Sequence, residues 1–268
     1  MSDHEWKNTQ SRTKQYSLLK ILGIWAAAAL PMAFLGWIVA PALGKNAGEN
    51  AGFIRMGVFT VGLIWQFVLA MIILYREEGN LKLKTISQRF WLNHPVSPKS
   101  GETQKRLWWL IVPLILVTAA NSMLLSPILD NLWVSIFPSL AEPPGFDFSS
   151  LLETPEMRAQ FIGAWWLLGL FVLLSTFNTF LGEEFLFRGV LLPKMEGIFG
   201  KWDWVANGIL FACYHLHQPW MILGGIVSGL LFAWSGKRYR TNWFPIILHS
   251  GQSVFFIFII LGLVLGLA

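Results

Sequence analysis

Long apolar runs separated by shorter polar segments make up most of the chain. A helix needs ~20 apolar residues to cross a bilayer. Seven runs are candidates, roughly residues 18–43, 53–75, 107–129, 161–192, 204–218, 220–236 and 243–267. The fifth and sixth are short, and His217-Gln218-Pro219 joins them tightly. They are expected to form a helical hairpin that stops short of a full crossing, because proline removes a donor and clashes with the preceding turn. The predicted fold is all-α: a polytopic transmembrane helical bundle of about seven membrane segments. It is expected to be a single membrane domain over 1–268, with a catalytic core at 161–260.

Polar residues interrupt this pattern in one informative place. Leu181-Gly182-Glu183-Glu184-Phe185-Leu186-Phe187-Arg188-Gly189 puts two carboxylates and a guanidinium inside an apolar run. Each such charge costs at least ~2.5–3.5 kcal/mol at mid-helix. A chain keeps that expense where the charges line a cavity or a site, so the segment predicts an active site built inside a membrane.

Composition agrees with the pattern. The chain is 54% hydrophobic and 13% charged, against about 25% charged in soluble domains, which argues against a large soluble core. The net charge of +5 reads as topology and not as nucleic-acid binding, because the basic residues fall between apolar runs. The N-terminal region carries Lys7, Arg12, Lys14 and Lys20. Arg76, Lys82, Lys84, Arg89, Lys99, Lys105 and Arg106 follow the second, and Lys237, Arg238 and Arg240 follow the sixth. The segment 130–160 is instead acidic, with Asp130, Glu142, Asp147, Glu153 and Glu156 against Arg158. The positive-inside rule then expects a cytoplasmic N-terminus and an outer C-terminus. The long basic loop is read as a solvated connector. The first run is too long for a signal h-region and is read as a retained anchor helix, which suggests a bacterial plasma membrane. Cys213 is the single cysteine, so no intramolecular disulfide is available, and its apolar surroundings make it a packing residue.

On an α-helix, Glu184 and Arg188 project within ~40° of each other and can pair, whereas Glu183 and Arg188 project ~140° apart. The spacing therefore predicts a buried Glu184–Arg188 ion pair and leaves Glu183 free as a general base. Two histidines stand in apolar surroundings, His215 in the fifth run and His249 at the start of the seventh. Membrane histidines usually face a bundle interior. If the fifth helix continued, His217 would lie ~160° from His215, and His215 is expected to face the site. The sixth run carries Gly225-x-x-x-Gly229, a spacing that permits close helix approach.

Glu183-Glu184-x-x-x-Arg188, Phe211-x-x-x-His215 and His249 occur in the order found in the CPBP family. This family is also called the CAAX-protease and bacteriocin-processing, or Abi, family, and the chain resembles it over about 161–260. The resemblance implies an intramembrane endopeptidase. Glu183 and His215 would activate a water, and His249 with the residue four positions later would stabilise the oxyanion. Glu184 and Arg188 would position the catalytic helix. The family has Asn or Asp at that later position, and this chain has Ser253. Gln252 is a substitute donor to consider, ~60° from His249. The implied substrate is a peptide or protein segment reaching the membrane lipid, lipidated and CAAX-like or of bacteriocin type.

The metal-free glutamate mechanism, with no cofactor, is favoured. The alternative is a zinc-dependent version with Glu183, His215 and His249 as ligands. No H-E-x-x-H and no G-x-S-x-G occurs, which leaves zincin and nucleophile-elbow chemistry without a signature. Two further classes stay open. One is a proton-coupled transporter, because buried carboxylates and histidines also build proton relays. The other is a non-enzymatic immunity or scaffold protein, which Ser253 keeps in play.

Overall fold

The computed structural model describes residues 14–143, 146 and 158–267. Six of its helices are long and apolar enough to cross a membrane: α1 (Leu18–Gly44), α2 (Ala51–Glu78), α3 (Lys105–Ile136), α4 (Trp165–Lys194), α6 (Pro219–Tyr239) and α7 (Trp243–Val264). The remaining predicted run is α5 (Asp203–Tyr214), twelve residues long. At 1.5 Å per residue it reaches only about 18 Å. The chain is thus a polytopic helical bundle and an integral membrane protein. Among the described residues, the only β pairing is one antiparallel bridge, Val96 to Thr103.

Local sequence sets the ends. Ser17 caps α1 by accepting from the Lys20 N–H, and Gly79 ends α2 at φ +70°, a conformation open to glycine at no steric cost. The Tyr16 N–H donates to the Lys194 carbonyl at 2.9 Å, so the start of α1 and the end of α4 share one end of the bundle. The Gly163 N–H donates to the Val264 carbonyl at 2.8 Å, so the start of α4 and the end of α7 share the other.

The first of these ends gathers the basic residues, and here the structure corrects the sequence reading. The segment after α2 is no solvated connector. Phe90, Trp91 and Val96 are buried. Arg89 Nη1 donates to the Gly189 carbonyl at 3.1 Å. The Asn242 and Val96 N–H groups tie the loop to the ends of α6 and α7 through the Trp91 and Tyr239 carbonyls. Glu77 sits among Lys20, Arg89, Lys194 and the Tyr16 hydroxyl. Burial, reinforced by the Glu77 hydrogen bond, pushes the Tyr16 phenol up, so it stays a protonated donor. Of the residues read as an acidic loop, Asp130 lies within α3 and accepts the Gly224 N–H at 2.8 Å. Asp147, Glu153 and Glu156 fall outside the described residues.

The C-terminal half of α4 is the central rod. Phe185 to Leu191 are all buried, with α2, α5 and α7 packed around α4. The small residues of α6 meet small residues of α5. A Cβ at Gly208 would stand 2.7 Å from the Leu230 nitrogen and 2.8 Å from the Gly229 carbonyl carbon, and Gly225 faces Ala212. The Gly225-x-x-x-Gly229 spacing thus serves the α5–α6 contact. Both obstacles to a side chain at Gly208 are backbone, so overpacking there costs upwards of about 1–3 kcal/mol. We expect Gly208→Val to lower the thermal midpoint in detergent by several degrees, while Gly169→Ala, with open space around it, leaves the midpoint unchanged or slightly raised.

Candidate active site

Glu183 and Glu184 sit between two stretches of widened helix, Phe177–Gly182 and Phe185–Leu191, each with π winding. Such bulges are frequent at functional sites, and they turn each residue by less than the 100° of an α-helix. Gly182 lies where α2 crosses. A Cβ there would meet the Phe177 carbonyl oxygen and stand 2.9 Å from the Leu63 oxygen. A glycine at this crossing lets the two backbones approach one residue before the carboxylates.

Glu183, Glu184 and Arg188 are 1%, 0% and 1% exposed, a burial that demands partners. Arg188 Nη1 donates to Glu184 Oε1 at 3.2 Å. Its Nη2 donates to the Gly229 carbonyl at 3.2 Å, and the guanidinium lies 4.0 Å from the Phe211 ring centroid. The pair expected from the four-residue spacing is therefore present. Glu184 also holds a second group: Glu184 Oε1 accepts from His249 Nδ1 at 3.0 Å. A carboxylate can only accept, so Nδ1 carries the proton and Nε2 faces the other way. Asn242 Nδ2 donates to the Glu184 carbonyl at 3.2 Å, joining the start of α7 to the same residue.

His215 follows the last residue of α5. Its Nδ1 lies 3.0 Å from the Phe211 carbonyl and must donate to it, which leaves Nε2 as an acceptor. His215 Nε2 is 4.0 Å from Glu183 Oε1, and His249 Nε2 is 3.7 Å from Glu183 Oε2. Glu183, His215 and His249, from three segments remote in sequence, thus converge, and among the described residues Glu183 Oε2 has no hydrogen-bond partner. The imidazoles are 23% and 13% exposed, so the cluster is not sealed.

Three predicted residues behave differently. The helix ends at Tyr214, so His217 does not swing to the far side as a continuing helix would require. Its ring stacks on His215 with centroids 5.5 Å apart. Among the described residues, Ser253 makes no hydrogen bond to Glu183, His215 or His249, and it is half-buried one turn beyond His249. Gln252 is exposed.

Two residues were missed. Gln66 Nε2 donates to the Tyr214 hydroxyl at 2.6 Å. The Tyr214 hydroxyl in turn lies beside the Glu183 carboxylate and interacts with it electrostatically. Both are fully buried. Gln66 carried a usable signal: it is the one amide in the apolar run from Val61 to Leu74, and an uncharged polar group at such depth seeks an interhelical partner. Tyr214 carried none, since a tyrosine beside a histidine suits any aromatic core.

Zinc can be tested on ligand spacing. Two donors on one tetrahedral ion at about 2.0–2.2 Å stand about 3.3 Å apart. Here the gaps are 4.0 and 3.7 Å, to different oxygens of Glu183. Among the described residues, no group of three or more His, Cys, Asp or Glu side chains is arranged to hold a metal ion. As placed, these side chains do not fit zinc.

No curated protein and no solved structure matches the chain. A family model does match. The segment holding Glu183, Glu184, Arg188, His215 and His249, residues 164–255, matches the family described as Rce1-like, type II CAAX prenyl endopeptidase Rce1-like.

Proposed function

We propose that this protein is an intramembrane endopeptidase in which Glu183 is the general base. The observation that carries the reading is the Glu183 carboxylate, buried, with one oxygen unpartnered, and facing two imidazole Nε2 atoms at 4.0 and 3.7 Å. A water donating at about 2.8 Å to both Glu183 Oε1 and His215 Nε2 subtends roughly 90° there, close to its own bond angle. Glu183 takes one proton from that water while His215 holds the other. The oxygen attacks the scissile carbonyl, and the π electrons pass to the carbonyl oxygen. A doubly protonated His249, held by Glu184, presents Nε2–H to this oxyanion, a kind of contact worth about 2.7–4 kcal/mol in the transition state. Ser253 is the second donor of this scheme. On collapse the C–N bond breaks, and Glu183 returns its proton to the leaving amine.

The substrate class that fits the family match is a peptide or protein segment reaching the membrane, with lipidated, CAAX-like C-termini as the first candidates and bacteriocin-type peptides as the second. The basic end of the bundle lies in the cytoplasm in this reading, as the charge distribution favours, with the C-terminus outside and a bacterial plasma membrane as the setting. Reconstitution in nanodiscs with a panel of prenylated and unmodified peptides tests the proposal. Cleavage seen by mass spectrometry, undiminished after exhaustive dialysis against chelator, is the expected result. Activity lost to the chelator and restored by zinc would return the metal version. Solute or proton flux in liposomes without cleavage of any peptide would replace the protease by a transporter.

A further inference from the structure

A second buried cation stands beside the site, and the mechanism above does not use it. Arg55, near the start of α2, is 8% exposed. Its guanidinium carbon lies 3.4 Å from the Phe146 ring centroid, 5.0 Å from that of Phe59 and 5.7 Å from that of Trp220. Nη1 donates to the Phe146 carbonyl at 3.2 Å. Glu142 contributes a favourable Coulombic interaction, yet among the described residues Nε and Nη2 have no hydrogen-bond partner. These two atoms form one edge of the guanidinium fork, the edge that binds a carboxylate through two parallel hydrogen bonds. Leaving such an edge buried and unpaired is costly.

The edge has a neighbour of the same kind. His217 is 3% exposed, and its Nδ1 also lacks a hydrogen-bond partner among the described residues. The His217 ring lies 4.9 Å from Phe59 and 5.5 Å from His215. A chain of touching rings therefore links Arg55 to the histidine that faces Glu183. Its steps amount to roughly two to five residues of extended peptide at about 3.3–3.6 Å each.

We propose that Arg55 binds the α-carboxylate of the substrate's C-terminus and so fixes how many residues are released. The inference rests on the endopeptidase reading. A free C-terminus is the one carboxylate every peptide chain end carries, and the planar fork matches it in shape and charge. The aromatic faces around Arg55 keep water out and hold the fork in place before the ligand arrives.

Binding of a synthetic farnesylated hexapeptide tests this, using its free acid and its C-terminal amide. The protein is Glu183→Gln in zwitterionic nanodiscs, so that bound peptide is not consumed. The acid is expected to bind about 10–100-fold more tightly than the amide, the range of a charge-assisted bidentate contact. Adding Arg55→Gln should erase that ratio, and adding Arg55→Lys should leave a reduced one. The ratio is read within each variant, so a smaller folded fraction cannot imitate the effect. Equal affinities for acid and amide in the Glu183→Gln protein overturn the proposal, as does an unchanged ratio with Arg55→Gln. Loss of the ratio in anionic nanodiscs would assign the fork to a lipid phosphate and overturn it as well. Failure of the endopeptidase reading is a separate result, namely no peptide cleaved by the native chain, and it leaves the affinity ratio measurable.

Discussion

Replacing Glu183 by glutamine is expected to lower kcat for peptide hydrolysis by about 10³-fold or more with little change in KM. General-base catalysis supplies about 10²–10⁴-fold, and an amide cannot take the proton of the attacking water. The substitution is isosteric, so it should leave substrate contacts in place, and a fall in kcat without a rise in KM marks an interaction made only in the transition state. Stability separates this from a folding defect. Among the described residues, Glu183 has no cationic partner in direct hydrogen-bonding contact, and its Oε2 has no hydrogen-bond partner. Removing a buried charge of that kind should hold or raise the thermal midpoint. Glu184→Gln is the contrasting variant, because its carboxylate serves both Arg188 and His249. There both the midpoint and kcat should fall. Equal cleavage rates for Glu183→Gln and the native chain would take Glu183 out of the chemistry.

The long spans were legible because hydrocarbon imposes a length of ~20 apolar residues that few other environments demand. The Glu184–Arg188 pair was legible for a different reason. Residues four apart still face the same side when the winding widens from 3.6 residues per turn toward the π form, so the bulges around Glu183 did not spoil the estimate. The bulges themselves left no sequence mark beyond Gly182, whose lack of a side chain makes room for the Leu63 carbonyl of α2. His249 was singled out but not its grip on Glu184, which is a contact between residues 65 positions apart. Placing His217 across the helix from His215 assumed a helix that in fact ends at Tyr214. The packed loop after α2 was misread because its charges are sequence-visible while its anchors are backbone groups, the carbonyls of Trp91 and Gly189. Gln66 is the instructive omission. It is uncharged, so it does not stand out among ionisable groups, yet it holds the Tyr214 hydroxyl beside the Glu183 carboxylate.

Truncating Arg188 should be among the most damaging single changes to stability. Arg188→Ala removes both hydrogen bonds and the ring contact of a side chain that is 1% exposed. It also leaves the Glu184 carboxylate, at 0% exposure, with His249 alone. Breaking a buried pair by removing one partner costs about 3–5 kcal/mol, enough to lower the thermal midpoint sharply or to prevent folded protein from accumulating. Arg188→Lys should recover little. A single ammonium lacks the planar fork that spans Glu184 Oε1 and the Gly229 carbonyl, and it loses the flat stack on Phe211. The informative partner is the double variant Glu184→Gln with Arg188→Met. It removes both buried charges at nearly constant volume, and such replacements are often close to neutral in stability. The double variant should therefore melt well above Arg188→Ala while remaining hydrolytically weak, because His249 has lost the carboxylate that accepts its Nδ1–H and fixes its orientation. A double variant no more stable than Arg188→Ala would mean that Glu184 and Arg188 are not energetically coupled. Full hydrolytic activity in the double variant would remove Glu184 from the orientation of His249, and with it the reason an intramembrane site keeps two adjacent carboxylates where one general base would do.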